Sequence, residues 1–223
     1  MYIEIHNAKK TIKNKVILNN INLDLEKGNV YGLIGHNGSG KTMLLRAISG
    51  LITLDSGYIK IDNTLVELNK PLPVKVGIII ENVKFYDDLT GFENLKFLSS
   101  INNEISDDVI NTYLKKFDLL KENNKKVKEY SLGMMQKLAI IQAIMEDQSL
   151  ILLDEPTNGL DRNSVEIFNE QIKELKDKGK TIILVSHNDS EIKELCDEII
   201  EISNGVITKR WKMEWKKNMS LFF

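Results

Sequence analysis

The 223-residue chain predicts an α/β fold in three parts: a parallel-sheet core, an N-terminal antiparallel β layer and an all-helical insert. Three observations carry this. The first third is rich in strand patterns, the middle carries apolar residues at helical spacing, and the last third alternates strand with helix.

The elements follow in order. Tyr2-Ile3-Glu4-Ile5 alternates with period two, and Ile21-Asn22-Leu23-Asp24-Leu25 does so more cleanly, as half-exposed antiparallel strands do. Val30 to Ile34 is more continuously apolar and fits a buried parallel strand. A glycine-rich turn leads into a helix from about Lys41 to Ile48, stopped by Gly50. Tyr58–Ile61 alternates again, and Val76–Ile80 is another apolar strand. From about Gly91 to Glu146 the pattern is helical: Val109, Tyr113, Phe117 and Leu120 share one face, as do Leu138, Ile141 and Met145 of a helix read as amphipathic. Strand Leu150–Leu153 precedes a helix carrying Val165, Phe168, Ile172 and Leu175. Strand Thr181–Val185 precedes a short helix and a last strand pair near Ile199–Ile202 and Val206–Ile207.

Composition narrows the function classes. An apolar share of 42% suits a globular core, and a net charge of −2 provides no basic field for nucleic acid. The single cysteine, Cys196, rules out an internal disulfide and is expected to be packed. Met1–Lys10 lacks the pattern of a signal peptide, and no stretch approaches the roughly 18 apolar residues that span a bilayer. A role at a membrane therefore requires docking on another chain.

The strongest chemical signal is Gly35-His36-Asn37-Gly38-Ser39-Gly40-Lys41-Thr42, which satisfies G-x-x-x-x-G-K-[ST] between an apolar strand and a helix. Glycines let the backbone curl so that successive N–H groups face phosphate oxygens, and the helix N-terminus adds its dipole. Lys41 supplies a mobile charge for the β- and γ-phosphates, and Thr42 a hydroxyl for Mg²⁺. The four fixed positions recur by chance in about one chain per hundred. The second signal is Leu150–Glu155, a buried strand ending in two acids. Asp154 can hold Mg²⁺ through water, and Glu155 can polarise an attacking water. Alone, the pair reads equally as N-capping acids before the next helix; the upstream phosphate loop decides for the catalytic reading. Ser131 and Gly133 open a helix and offer an anion a hydroxyl and backbone donors, although Ser131 also suits a simple N-cap. His187 closes a strand at the carboxyl edge of the sheet, where a lone histidine is usually structural.

Taken in order, these motifs resemble an ATP-binding cassette domain over nearly the whole chain. Gly35–Thr42 matches the Walker A loop of P-loop NTPases, Leu150–Glu155 Walker B with its catalytic glutamate, Asn158-Gly159-Leu160-Asp161 the D-loop, and His187 the switch histidine. Tyr130–Met134 stands where the family carries L-S-G-G-Q, but Leu132 replaces the first glycine and Met134 the glutamine. Glu81 stands at the Q-loop glutamine, a candidate metal contact beside Thr42 and Asp154, and Ile12 stands near the place of the adenine-stacking aromatic. The modified signature, Glu81 and Leu89–Leu95 resemble cassettes of bacterial peptide-antibiotic (lantibiotic or bacitracin-type) export and immunity systems.

The resemblance implies a single ABC ATPase domain, with residues 1–82 and 147–223 as a RecA-like core plus β layer and 83–146 as the helical subdomain. It implies ATP and Mg²⁺ as cofactors. It also implies a head-to-tail pair, homomeric or with a paralogue, in which ATP lies between Gly35–Thr42 of one subunit and Ser131, Gly133 and Asp161 of the other. The expected partners are membrane-spanning permease chains, with no nucleic acid, and the expected location is the cytoplasmic face of the cell membrane. Two other classes compete. A cassette ATPase of DNA or ribosomes would bring a long coiled coil or a second cassette, and only about ninety residues without heptads separate Lys41 from Ser131. A small P-loop kinase would not need the signature, D-loop and His187 set. The alternating tail Trp211-Lys212-Met213-Glu214-Trp215 reads as an edge strand or as a partner contact.

Overall fold

In a computed structural model, which describes residues 1–81, 83–102 and 105–213, the chain opens with an antiparallel pair, β1 (Ile3–Ile12) and β2 (Lys15–Leu25). Lys13 and Asn14 both adopt positive φ (46° and 63°) and close the hairpin without a glycine. β4 (Ser56–Ile61) and β5 (Thr64–Leu65) complete a four-stranded sheet in the order β2-β1-β4-β5. Alternate residues such as Ile3, Ile5, Ile59 and Ile61 point inward, as the period-two pattern requires.

The second sheet is built from β3 (Val30–Ile34), β6 (Val76–Ile79), β7 (Leu150–Asp154), β8 (Thr181–Val185), β9 (Glu198–Ser203) and β10 (Val206–Lys212). Its order is β10-β9-β3-β8-β7-β6, parallel throughout except for β10. Both faces are covered. Leu150, Leu152, Ile183 and Val185 enter a core shared with the antiparallel layer, whereas Ile151, Leu153, Ile182 and Leu184 enter one shared with the helices. Continuous apolar strands are the sequence signature of such double burial. Cys196 is buried, as expected.

The helices are α1 (Lys41–Ile48), α2 (Gly91–Ser99), α3 (Asp107–Lys116), α4 (Leu132–Ile144), α5 (Arg162–Asp177) and α6 (Asp189–Leu195). α2 starts at a reciprocal capping box between Thr90 and Glu93. α4 departs from the amphipathic expectation. Its second half, Leu138–Ile144, is buried almost all round, because the sheet lies on one side and α2 and α3 on the other. A helix enclosed in this way has no polar stripe to keep.

α4 reaches β6 at close range. Gln142 donates its side-chain amide to the Ile78 carbonyl at 2.7 Å, and a Cβ on Gly77 would lie 1.7 Å from the Ala143 carbonyl oxygen. Gly77→Ala therefore has to push helix from sheet. The expected loss is about 3 kcal/mol of stability, the upper end of the usual overpacking range, read as a lower urea midpoint.

Trp211 belongs to the edge strand β10, in agreement with the structural reading of the tail, and Arg210 on the same strand pairs with Glu198. Glu214 to Phe223, including Trp215, lie outside the described residues.

Candidate functional site

The loop Gly35–Gly40 joins β3 to α1 at the carboxyl edge of the parallel sheet, where such folds bind ligands. Gly35 (φ 144°) passes so close to β9 that a Cβ would lie 2.1 Å from the Ile202 carbonyl oxygen. Gly40 (φ 113°) opens α1 with no side-chain cap, so the first-turn amides are left to an anion. Lys41 is only 6% exposed, and its Nζ donates to the carbonyls of Gly35 (2.7 Å) and His36 (3.1 Å). Burial pulls its pKa below the ordinary lysine value, while Glu155 and Asp154 work in the opposite direction.

Thr42 and Asp154 face each other across the site, the Thr42 hydroxyl donating to Asp154 Oδ2 at 2.6 Å. Burial raises the Asp154 carboxyl above the ordinary range; the Thr42 hydroxyl and Lys41 oppose the shift. These are hard oxygen donors of the kind Mg²⁺ selects. No cluster of three or more metal-ligating side chains occurs among the described residues. Such donors would suit an ion held by one or two carboxylates together with phosphate oxygens and water.

Glu155 follows with its backbone in the left-handed region (φ 50°), held by its N–H bonding to the Val185 carbonyl at 2.9 Å. Its Oε2 accepts from the His187 amide (3.3 Å). Its Oε1 is buried without a hydrogen bond, 3.3 Å from His187 Nε2 in poor alignment. His187 Nε2 instead makes a 2.8 Å contact with Asn37 Oδ1 of the phosphate loop. Burial raises the Glu155 carboxyl, and His187 counters it. A carboxylate of raised pKa beside a bound phosphate is equipped to take a proton from water. Around these groups lies a cavity of about 480 Å³, also lined by Asn37, Gly38, Gly40 and Glu81.

Residues 18–158 match the ABC transporter family. This chain belongs to that family. An uncharacterized ABC transporter ATP-binding protein, YybJ of Bacillus subtilis (strain 168), is 42% identical over 216 residues, covering 97% of this chain and 99% of the relative. The lantibiotic transport ATP-binding protein SrtF of Streptococcus pyogenes is 35% identical over 221 residues, 99% of this chain and 95% of its own. The structure also superposes on a dimeric, post-hydrolysis ATP-binding cassette, MJ0796, bound to ADP and Pi. The TM-score is 0.86, with 25% identity, 95% of this chain and 98% of that one covered. The chain is an ATP-hydrolysing subunit of an ABC transporter, and among its described residues no helix is long and apolar enough to cross a membrane.

The cassette does not bring every expected site residue to this cavity. Ser131 caps α4, accepting from the Met134 amide at 3.2 Å, and Gly133 lies in the first turn of that helix. Asp161 caps α5 through the Ser164 amide and hydroxyl, both at 2.9 Å. None of the three lines the cavity. Leu132 between them is 73% exposed and packs on Gly159 of the D-loop. His36 turns its ring to the Asn37 carbonyl, and Ser39 is buried with its hydroxyl unpartnered. Glu81, also in the left-handed region, lines the cavity while pairing with Arg46 of α1 at 2.5 Å.

The cavity also holds Asn158 of the D-loop match and residues that motif matching passes over: Lys15, Ile17, Met43 and Gln136. Gln136 donates to the Pro156 carbonyl at 2.7 Å, tying α4 to the segment after Glu155. Ile12 is not among the lining residues. The Lys13-Asn14 turn reverses the chain, so the start of β2 rather than the end of β1 faces the phosphate loop, with the Ile17 carbonyl against Gly40. Among the described residues, no phenylalanine, tyrosine or tryptophan ring lines the cavity. Stacking on an aromatic is worth about 1–3 kcal/mol per base in nucleic-acid complexes, and the cassette lacks that contribution. ATP and GTP are expected to bind within about tenfold of each other, under about 1.4 kcal/mol, in side-by-side titrations of the wild-type protein.

Proposed function

We propose that this cassette powers the export of a peptide, of the peptide-antibiotic kind, through membrane-spanning partner chains that hold it at the cytoplasmic face of the cell membrane. The observation that carries the reading is end-to-end similarity to a lantibiotic transport ATP-binding protein, which joins the altered signature around Leu132 and the glutamate at position 81. The net charge of −2 gives no support to a nucleic-acid function.

In this reading the backbone amides of Gly35–Gly40 and Lys41 bind the phosphates, and Thr42, Asp154 and Glu81 hold Mg²⁺. When bound, that ion supplies charge neutralisation to the phosphate oxygens. Glu155 takes the proton of the attacking water, and His187, shifting from Asn37, senses the γ-phosphate. Ser131, Gly133 and Asp161, none of which lines its own cavity, complete the site of a second cassette, identical or paralogous. ATP bound between two subunits favours the closed pair over the open one. Affinity purification from detergent-solubilised membranes tests the proposal: a multi-span chain should co-purify stoichiometrically. Recovery of ribosomes or DNA instead would overturn it.

A further inference from the structure

Glu191, on the first turn of α6, lies outside the nucleotide cavity and is only 2% exposed. Its Oε2 accepts from the Ser186 hydroxyl at 2.6 Å and from the Thr157 hydroxyl at 3.3 Å, while its Oε1 is buried with no hydrogen-bond partner. Burial raises its pKa. Isolating a carboxylate so thoroughly costs stability unless its contacts compensate, and here one oxygen is left unsatisfied.

Its two partners occupy telling positions. Ser186 immediately precedes His187, and Thr157 stands two residues after Glu155. The Ser186 hydroxyl also accepts from the Asn188 amide at 3.0 Å, so the turn is held on both sides of His187. Asn188 in turn caps α6 through the Ser190 (3.1 Å) and Glu191 (3.4 Å) amides. On the cavity side the same two segments meet through Glu155 N–H to Val185 O and His187 N–H to Glu155 Oε2. The segments are thus joined in front by Glu155 and behind by Glu191.

We propose that Glu191 is a positioning residue for ATP hydrolysis: by gripping Ser186 and Thr157 together it sets the separation of His187 from Glu155. It does not line the cavity, so phosphate binding, which rests on Gly35–Thr42, does not depend on it. The inference rests on Glu155 and His187 being the hydrolytic pair.

The test is Glu191→Ala in the full chain, with ATP affinity, single-turnover hydrolysis and thermal midpoint measured together. A shift of about 1 Å in a catalytic group can lower a rate by about a hundredfold, so turnover should fall by about ten- to a hundredfold with the ATP dissociation constant unchanged within about twofold. Glu191→Gln keeps one acceptor oxygen and should recover most of the rate. Ser186→Ala removes the shorter hydrogen bond and should lower turnover by itself, adding little on top of Glu191→Ala, since coupled contacts are non-additive. If Glu191→Ala does not fold, Ser186→Ala and Thr157→Val decide: full turnover in both overturns the proposal. So does a parallel loss of affinity and rate in Glu191→Ala, which would mean a general collapse of the site. Normal turnover in Glu155→Gln would instead remove the hydrolytic pair itself, whatever Glu191 does.

Discussion

Glu155→Gln is expected to abolish ATP turnover, by about a thousandfold or more, while leaving ATP binding intact. The amide has the carboxylate's shape but cannot accept water's proton, and general-base contributions run to about 10²–10⁴. The ATP-bridged pair should then persist and elute as a dimer in size-exclusion chromatography with ATP; a monomer peak with confirmed ATP binding contradicts the shared-site reading. The variant should also melt higher than wild type in the absence of nucleotide. The fold raises the Glu155 pKa, chiefly by burial, so the folded protein holds that proton more tightly than the unfolded chain does. Stability associated with this group therefore falls as pH rises from the ordinary glutamate value through the raised one, and the penalty remains at neutral pH. Glutamine removes the penalty, and the gain over wild type should vanish at acid pH.

Lys41→Ala is expected to reduce hydrolysis by at least about a hundredfold, and unlike Glu155→Gln it should weaken ATP binding as well. The ammonium bonds to carbonyls of the phosphate loop itself and the residue is only 6% exposed, so its charge interacts more strongly than in water. Asp154 and Glu155 would then stand against the phosphates without a counter-charge from the loop. Isothermal titration with ATP and a phosphate-release assay separate the two effects. Unchanged turnover would remove the assignment of Gly35–Thr42 as the phosphate cradle.

Much of this architecture was legible in the residues. The apolar runs Val30–Ile34, Leu150–Leu153 and Thr181–Val185 are buried on both faces, and the loop before Lys41 ends in a helix with the bounds expected, Lys41–Ile48. α4 was misread because apolar residues at helical spacing look alike whether a helix has one covered face or several. The strand order was also out of reach, since β3 lies between β8 and β9 through long-range pairing that no local pattern encodes. Within the site, the motifs carried Lys41, Thr42, Asp154, Glu155 and His187 to one cavity. Lys15 and Ile17 were missed because their place depends on a hairpin turn made by Lys13 and Asn14, residues without the usual glycine signal. Glu191 was missed because a glutamate in a polar helical stretch reads as solvated until Ser186 and Thr157 are seen folded over it.

Lys41 rests on the carbonyls of Gly35 and His36, and Thr42 on Asp154. On the proposed reading, Lys41 and Thr42 already have intramolecular partners, whereas the first-turn amides of α1 have no side-chain cap. Nucleotide arrival is therefore a swap of partners on a backbone that is already shaped, and departure is the reverse swap. Little conformational entropy is lost at this loop on binding, which leaves the free energy of ATP capture available to draw two cassettes together.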